Sequence, residues 1–234
     1  MPDALAFIPA RATSRRLPGK NLRTVGGVPL VRRAADVALA AERLGLVGKV
    51  VVSAENRDAE LAVMGIGAFV DWRHETVRRP DARVIDVVQE FLGRFVEPVD
   101  PICILLPSSP LRTLRHVVES RLLLTEGVDA VMSVTPFRQD VRGAIYIEAN
   151  DAVRRLPNEW FAGVNASFFY KHDGHALWCR REWLMKAKDL YDSPRIRAYV
   201  IPPEESMDVD TELDLRIAEM LAADAKRACE GLDG

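Results

Sequence analysis

The sequence has few cysteines, no large surplus of charge of either sign, and no long apolar run. Cys103, Cys179 and Cys229 are far apart and outside any C-x-x-C pair, which argues against a disulfide framework or a zinc site. The net charge is only −2, whereas nucleic-acid binding needs a surplus of basic residues on one face. No apolar run approaches the ~18 residues of a membrane span, and no basic, apolar leader opens the chain. We therefore expect a cytoplasmic protein that binds neither nucleic acid nor membrane.

What the chain does contain is apolar residues in a regular alternation of strand and helix patterns. Apolar content is 48% over 234 residues, enough to fill one large core, and we expect a single domain over 1–234. Predicted strands cover Ala4–Ile8, Lys49–Ser53, Ala68–Val70, Pro101–Leu106 and Asp129–Thr135. Predicted helices between them cover Pro29–Arg43, Asn56–Met64, Arg83–Phe95 and Leu114–Thr125. This alternation predicts an α/β fold with a mostly parallel, Rossmann-like sheet flanked by helices.

The pattern changes over residues 136–162. Ala144–Ile147 and Val153–Leu156 have strand character and are separated by the turn pair Asn150-Asp151, so we predict a small antiparallel excursion from the main sheet. After it, the patterns predict four more elements. They are a strand at Val164–Lys171, a helix at Trp178–Tyr191, a strand at Ile196–Ile201 and an amphipathic helix at Thr211–Arg227.

The loop after the first strand is rich in cations. Arg11, Arg15, Arg16 and Lys20 lie within thirteen residues that also contain Gly19. Open α/β sheets bind ligands at the carboxyl ends of their strands, so these cations and the backbone N–H groups beside them predict an anion site, most simply for a polyphosphate. The alternative is an ordinary solvated connection. The loop is not a P-loop, because the G-x-x-x-x-G-K-[ST] spacing is absent.

Two aspartates one residue apart, Asp208 and Asp210, precede the last predicted helix. In an extended segment they project to the same side and could both reach one Mg²⁺, which prefers oxygen ligands. The alternative is helix capping, with Asp210 as N-cap and Glu212 in the first turn. A similar choice exists at Pro107-Ser108-Ser109-Pro110, which follows a buried strand and could supply serine caps to the next helix.

Segments at both ends of the chain resemble the acylneuraminate cytidylyltransferases, the family of the CMP-sialic acid and CMP-KDO synthetases. The first carries the A-R-x-x-S-x-R-L-P-x-K spacing as Ala10, Arg11, Ser14, Arg16, Leu17, Pro18 and Lys20. The last, Ser206-Met207-Asp208-Val209-Asp210-Thr211, resembles the family's S-[IM]-D-[IV]-D-T segment. The resemblance implies a nucleotide-diphospho-sugar transferase type of fold. It also implies coupling of CTP to an acidic 3-deoxy-2-ulosonic sugar, with CMP-sugar and pyrophosphate as products.

The resemblance also implies roles for individual residues. Arg11 and Lys20 are the expected catalytic residues, and Asp208 and Asp210 are the expected Mg²⁺ ligands. The expected nucleotide-binding residues are Ala10, Arg11, Ser14, Arg16, Lys20, Asn21, Pro107, Ser108 and Ser109. In the family the segment corresponding to 136–162 reaches over a neighbouring subunit, so a homodimer is implied.

The sequence departs from the family pattern at positions that are expected to contact the base of the nucleotide and the sugar. Leu106 replaces a glutamine beside the nucleotide pocket, Ala54 replaces the threonine of S-T-D, and the sugar-site arginine falls on Gly163. In the family's sugar-site strand, a glycine corresponds to Ala166 of this sequence, whereas the asparagine of that strand is matched by Asn165. We expect Asn165 to bind the sugar, and Arg154 or Arg155 of the excursion to replace the missing arginine at its carboxylate.

Two other functions remain open from the sequence. A D-x-D pair on a nucleotide-binding fold also occurs in metal-dependent glycosyltransferases, although these lack the cationic loop. With Leu106, Ala54, Gly163 and Ala166 off pattern, the chain could instead bind a nucleotide without turnover. Histidine catalysis is not expected. The four histidines fall in predicted loops or polar helix faces and are expected at the surface: His74, His116, His172 and His175.

Overall fold

A seven-stranded sheet organises the part of the chain that the structure describes, which is residues 4–137, 139–149, 151–161 and 169–230 of a computed structural model. The strands are β1 (Leu5–Ala10), β2 (Thr24–Val25), β3 (Val28–Pro29), β4 (Lys49–Ala54), β5 (Phe69–Trp72), β6 (Ile102–Ile104), β7 (Ala130–Pro136), β8 (Ile145–Ile147), β9 (Val153–Arg155), β10 (Tyr170–Cys179) and β11 (Ile196–Val200). The helices are α1 (Leu30–Arg43), α2 (Arg57–Ala62), α3 (Val84–Arg94), α4 (Leu114–Leu122), α5 (Arg181–Lys186) and α6 (Glu212–Glu230).

The main sheet has the order β11-β7-β10-β6-β1-β4-β5. β1 pairs in parallel with β4 and β6, and β7 pairs in parallel with β11. β10 alone runs antiparallel, between β6 and β7. The predicted α/β fold with a mostly parallel, helix-flanked sheet is therefore confirmed, and the carboxyl ends of β1, β4 and β6 meet at one edge.

The core lies on both faces of this sheet, because successive side chains of a strand point to opposite faces. Ala6 and Ile8 of β1 pack on the face that α1, α2 and α4 cover. Leu5 and Phe7 pack on the face that α3 and α5 cover. Burial on both faces explains why the strand is a continuous apolar run without alternation.

Two small antiparallel sheets, β2–β3 and β8–β9, lie outside the main sheet, and the second of them forms the predicted antiparallel excursion. β8 and β9 pair antiparallel from Ile145 with Arg155 to Ile147 with Val153, and Asp151 in the turn has a φ of 63°. The hairpin is exposed along both strands. Its role in dimerisation, like the division of the chain into domains, stays a prediction. Among the described helices, none combines the length and the apolar character needed to cross a membrane.

The predicted helix at Trp178–Tyr191 is wrong over its first residues. Trp178 and Cys179 are the end of β10, and the helix that follows covers only Arg181–Lys186. β10 is central in the sheet and buried on both faces, so its apolar residues lack the alternation that distinguishes a strand from a buried helix. The predicted strand at Val164–Lys171 lies mostly outside the described residues, and β10 begins at Tyr170.

Candidate active site

The loop after β1, residues 11–23, which we call the cationic loop, is fixed by hydrogen bonds to its own backbone. The Asn21 side chain is buried and its Nδ2 donates to the Arg11 carbonyl over 2.9 Å. The Ser14 hydroxyl accepts from the Leu17 N–H over 3.4 Å. Gly19 has a φ of 65° and precedes a short 3₁₀ turn at Lys20–Leu22, a backbone conformation that favours glycine. Ser14 and Asn21 therefore shape the loop, and their predicted contacts with a nucleotide stay predictions.

An apolar cluster joins the cationic loop to the segment before α6. Leu17, Val25 and Leu30 are buried against Val209 and Leu215. Val209 lies between the two aspartates of the D-x-D pair, so this packing brings residues nearly 200 positions apart in sequence to one place. Burial of apolar side chains, which is the dominant favourable term in folding, thereby positions the polar groups around them.

The structure brings the predicted cations and aspartates together. The Lys20 Nζ lies 3.0 Å from Asp210 Oδ1, and the Arg16 guanidinium pairs with Asp210 Oδ2. The Arg16 side chain is 66% exposed and that of Lys20 is 16% exposed, so both cations stay close to the open cleft. Arg11 donates to the Pro80 carbonyl over 3.2 Å.

Two adjacent cavities open around these cations. One, of about 630 Å³, is lined by Arg11, Thr13, Ser14, Arg15, Arg16, Lys20, Pro80, Asp81 and Asp210. The other, of about 180 Å³, is lined by Arg11, Lys20, Asn21, Arg73, Leu106, Pro107 and Ser108 among others. Arg11 and Lys20 line both. The first cavity offers four cations to an anion, and the second offers apolar contacts beside polar groups.

The segment from Leu106 to Arg112, together with Asp173–His175 of β10, forms a surface that we call the buried wall. The Ser109 hydroxyl donates to the Asp173 carbonyl over 2.6 Å, and the Val209 N–H donates to the Ser108 carbonyl over 2.8 Å. Neither serine caps a helix, so that alternative is wrong. Thr113 is the N-cap of α4, in a capping box with His116.

Arg112 holds the buried wall together from within. Its guanidinium is buried and donates to the carbonyls of Leu106, Gly174 and His175. Burial lowers the pKa of Arg112 to about 10. The register between β10 and β7 shifts between His172 and Leu177, and the carbonyls of Gly174 and His175 lie within this irregularity.

Gly174 lies at the centre of that irregularity. Its φ is 75°, and a Cβ there would lie 2.8 Å from the Ser109 Oγ and 2.9 Å from Leu106 Cδ1. Both the conformation and the close approach of the Ser109 segment therefore require a glycine. Asp173 beside it accepts from the Ser206 hydroxyl over 3.1 Å.

Asp208 lies between the cationic loop and the buried wall, near Lys20 and hydrogen-bonded to Ser108. Burial raises the pKa of its carboxyl and the negative charge of Asp210 raises it further, against a hydrogen bond with Ser108 and the charges of Lys20 and Lys171. Asp210 is not the cap of α6, so the capping alternative is wrong for Asp210, whereas Glu212 does lie in the first turn. The Thr211 hydroxyl accepts from the Asp214 N–H, and Asp214 accepts from the Thr211 N–H.

The two aspartates fit a divalent cation bound together with a polyphosphate. Asp208 is partly buried beside a second carboxylate, and a cation would offset both the burial and the repulsion. The described residues contain no group of three or more His, Cys, Asp or Glu side chains placed to hold a metal. Mg²⁺ can be bound by one or two carboxylates, with the remaining ligands from phosphate and water, and the Mg²⁺ site at Asp208 and Asp210 stays a prediction.

Arg154 and Arg155, two of the predicted sugar-binding residues, line none of the cavities around the cationic loop in the single chain. Arg154 and Arg155 lie on the exposed strand β9, and Arg154 Nε lies 3.2 Å from Glu148 Oε1. Asn165 lies outside the described residues. The roles of all three stay predictions.

Sequence reasoning missed the supports behind the cationic loop. Glu55 follows β4, accepts from the Ala12 N–H over 2.6 Å and pairs with the buried Arg73. Arg73 lines the smaller cavity with Lys20. Glu55 could have been identified from the sequence, because it stands where the family has the aspartate of its S-T-D segment. Its pairing with Arg73 is not visible in the sequence pattern.

The expectation that all histidines lie at the surface is wrong for His116 and His175, which are fully buried. The His116 Nε2 lies 2.7 Å from Glu205 Oε2, and the His175 Nε2 lies 3.1 Å from the Glu205 carbonyl. These polar partners allow burial. All four histidines are among the described residues, and none lines the two cavities around the cationic loop.

Comparison with known proteins gives one consistent family. A family model described as cytidylyltransferase matches residues 5–111. The CMP-N,N'-diacetyllegionaminic acid synthase of Legionella pneumophila is 30% identical, over 93% of this chain and 95% of its own length. The N-acylneuraminate cytidylyltransferase B of Danio rerio is 29% identical over 92% of this chain, which spans about half (50%) of that relative.

Solved structures show the same fold. A CMP:2-keto-3-deoxy-manno-octonic acid synthetase complexed with CTP superposes with a TM-score of 0.69 at 19% identity, over 95% of this chain and 99% of its own. The sequence and fold comparisons agree with the segments that first suggested the family. The chain belongs to the cytidylyltransferase family that contains the CMP-legionaminic acid synthases and N-acylneuraminate cytidylyltransferases.

Proposed function

We propose that this protein couples CTP to an acidic 3-deoxy-2-ulosonic sugar and releases pyrophosphate. The observation that carries the proposal is the meeting of Lys20 and Arg16 with Asp210 in one cleft. Such a cleft offers cations for a triphosphate and carboxylates for its metal ion. The relatives that match over nearly the whole chain are named for this class of reaction.

The proposed reaction is attack on the α-phosphorus of CTP by the anomeric hydroxyl oxygen of the sugar. A new P–O bond forms, the bond from the α-phosphorus to the bridging oxygen breaks, pyrophosphate leaves, and the hydroxyl proton passes to solvent. CTP carries about four negative charges, which repel an anionic sugar until cations neutralise them. Arg11, Arg16 and Lys20 bind the phosphates in this proposal.

Asp208 and Asp210 hold Mg²⁺ in the proposal. Bound there, Mg²⁺ neutralises triphosphate charge and lowers the pKa of a hydroxyl that it contacts. The chain's own residues position both reactants. Asp210 is already surrounded by Lys20 and Arg16, so binding of the triphosphate exchanges one set of charge pairs for another without large movement.

A homodimer in the cytoplasm completes the proposal. The hairpin β8–β9 exposes Ile145, Tyr146, Ile147 and Val153, an apolar surface of the kind that favours association. A second copy is the proposed partner, and sedimentation of the purified protein distinguishes a dimer from a monomer. Pull-down of nucleic acid or membrane is not expected.

The experiment that tests the function is an assay of pyrophosphate release from CTP and Mg²⁺ with each of four acids. They are N-acetylneuraminic, legionaminic, pseudaminic and 3-deoxy-manno-octulosonic acid. We expect release with at least one acid, and thermal stabilisation by CTP above that by ATP, GTP and UTP. Release of UDP from a UDP-sugar would instead indicate a glycosyltransferase. Stabilisation by CTP with no release from any acid would indicate a non-catalytic relative.

A further inference from the structure

A third cavity, of about 770 Å³, lies beside Asp208. Thr135, Lys171, Ser206 and Asp208 are among its lining residues, and it shares none of them with the other two cavities. Ser108, which lines the smaller cavity, is hydrogen-bonded to Asp208. A molecule in the third cavity therefore lies beside the proposed triphosphate site, where an acceptor must be.

Lys171 is the only Lys or Arg among the described residues that line this cavity. It is exposed, and no ion pair or hydrogen bond engages its ammonium in the described part of the chain. Two lining carboxylates already have partners. Asp140 pairs with Arg142, and Asp214 accepts from the Thr211 N–H and hydroxyl. The third, Asp208, is hydrogen-bonded to Ser108 and feels the charge of Lys171 without an ion pair to it. Lys171 is thus the lining cation that can pair with an anionic ligand.

Thr135 faces the same cavity directly across from Lys171. The two residues are paired in register on the antiparallel strands β7 and β10, so their side chains lie on the same face. Thr135 is 3% exposed, and its Oγ1 has no hydrogen-bond partner among the residues that the structure describes. Most buried hydroxyls in proteins are hydrogen-bonded, so a hydroxyl that lines a cavity without a partner points to a ligand group that supplies one.

We propose that Lys171 and Thr135 bind the carboxylate of the acidic sugar, Lys171 by an ion pair and Thr135 by donating its hydroxyl. The inference rests on the proposed function, because it takes the cavity beside Asp208 as the acceptor site. It replaces Arg154 and Arg155 as carboxylate ligands, since these arginines do not line the cavity in the single chain. Lys171 thereby selects acids over neutral sugars.

The test compares Lys171→Met and Thr135→Val with the wild type, using Lys186→Met as the matched control. Lys186 is exposed on α5, pairs with Glu182, and lines none of the three cavities described above. We expect Lys171→Met to lower kcat/KM for the sugar acid about 10- to 100-fold, and Thr135→Val about 3- to 10-fold. The KM for CTP and the CTP-induced thermal shift stay at the wild-type values. Lys171→Arg recovers most of the loss.

A substrate analogue sharpens the result. With the sugar carboxamide in place of the acid, the wild type falls to the level of Lys171→Met, and the variant loses nothing further. Equal losses of the variant on acid and carboxamide, a changed KM for CTP, or unchanged kcat/KM for the acid would each overturn the inference.

Calorimetric titration of the sugar acid into the CTP-loaded protein separates this inference from the proposed function. If the wild type binds the acid without releasing pyrophosphate, the proposed function fails, and weaker binding by Lys171→Met still supports the inference. If the wild type binds no acid at all, both fail. If the wild type turns over and Lys171→Met behaves like Lys186→Met, the inference alone fails.

Discussion

The two walls of the cleft are built in opposite ways. On the cationic loop, charged side chains reach toward solvent and pair with one another, as Arg16 does with Asp210 while 66% exposed. On the buried wall, Arg112 and Asp173 are almost fully buried, and backbone carbonyls and hydroxyls satisfy them. Exposed pairs contribute little to stability, whereas a buried charge that loses its partners is costly.

This difference separates two tasks. The cationic loop is free to exchange its present partners for phosphate oxygens, so its charges serve binding and catalysis. The buried wall holds Ser108 and Asp208 in position, so its charges serve the geometry. Substitutions on the first should therefore change activity at constant stability, and substitutions within the second should change stability first.

Replacing Arg112 is the strongest way to break this comparison. Arg112→Met leaves the carbonyls of Leu106, Gly174 and His175 buried without their donor, and we expect a loss of about 3 to 5 kcal/mol in the free energy of unfolding. Urea denaturation measures it, with Arg32→Met of the exposed Arg32–Asp36 pair as control. A loss below about 1 kcal/mol would contradict the assigned role. If the Met variant does not fold, Arg112→Lys, which keeps the charge with fewer donors, should still fall measurably below the wild type.

Lys20 tests the other wall. Lys20→Ala removes a cation from both cavities around the loop, and we expect kcat for pyrophosphate release to fall ~100-fold or more, because that charge stabilises the transition state. The melting temperature should change little. Lys49→Ala, which removes the exposed partner of Glu97, is the control. Near wild-type kcat for Lys20→Ala would show that the loop does not carry the chemistry.

Asp173 gives the smallest expected effect and a pH signature. Burial alone would raise the pKa of Asp173, but hydrogen bonds from His175 and Ser133 and the charge of His175 hold it well below its ordinary value. Because the folded-state pKa is depressed, Asp173 stabilises the fold above its unfolded pKa near 4, and this contribution is lost as the pH falls below about 4. Asp173→Asn should cost about 2 kcal/mol at pH 7.

Denaturation at pH 7 and at pH 3 checks that expectation. The difference in the free energy of unfolding between wild type and Asp173→Asn should shrink at the lower pH, because the stabilisation by the ionised Asp173 carboxylate is then partly lost. A constant difference at both pH values would mean that packing, and not the charge of Asp173, is what the variant disturbs.

The sequence predicted the cationic loop better than the buried wall, and the reason is physical. Arg16, Lys20 and Asp210 show their chemistry in residue type and spacing, and the parallel sheet brings the segments to one edge. The buried wall depends on a shift in register between β7 and β10, which cannot be predicted from the hydrophobic pattern of the sequence. His175 lies within this irregularity, which is why its burial is not predicted. Trp178 is predicted in a helix for another reason, because β10 is buried on both faces and lacks the alternation of a half-exposed strand.

Lys171 illustrates what only the structure could add. In the sequence it is one lysine after a run of aromatic residues, while Arg154 and Arg155 are the more conspicuous cations. Pairing of β10 with β7 places Lys171 across from Thr135, and both line the cavity beside Asp208. Strand register, rather than residue type, therefore selects the candidate.

The hydrogen bond from the Val209 N–H to the Ser108 carbonyl offers a way to observe the cleft without any substrate. It joins two loops about a hundred residues apart, and it holds only while both keep their places. The rate at which deuterium replaces that single proton therefore reports how often the Ser108 and Val209 segments separate, and a nucleotide that binds tightly would slow the replacement.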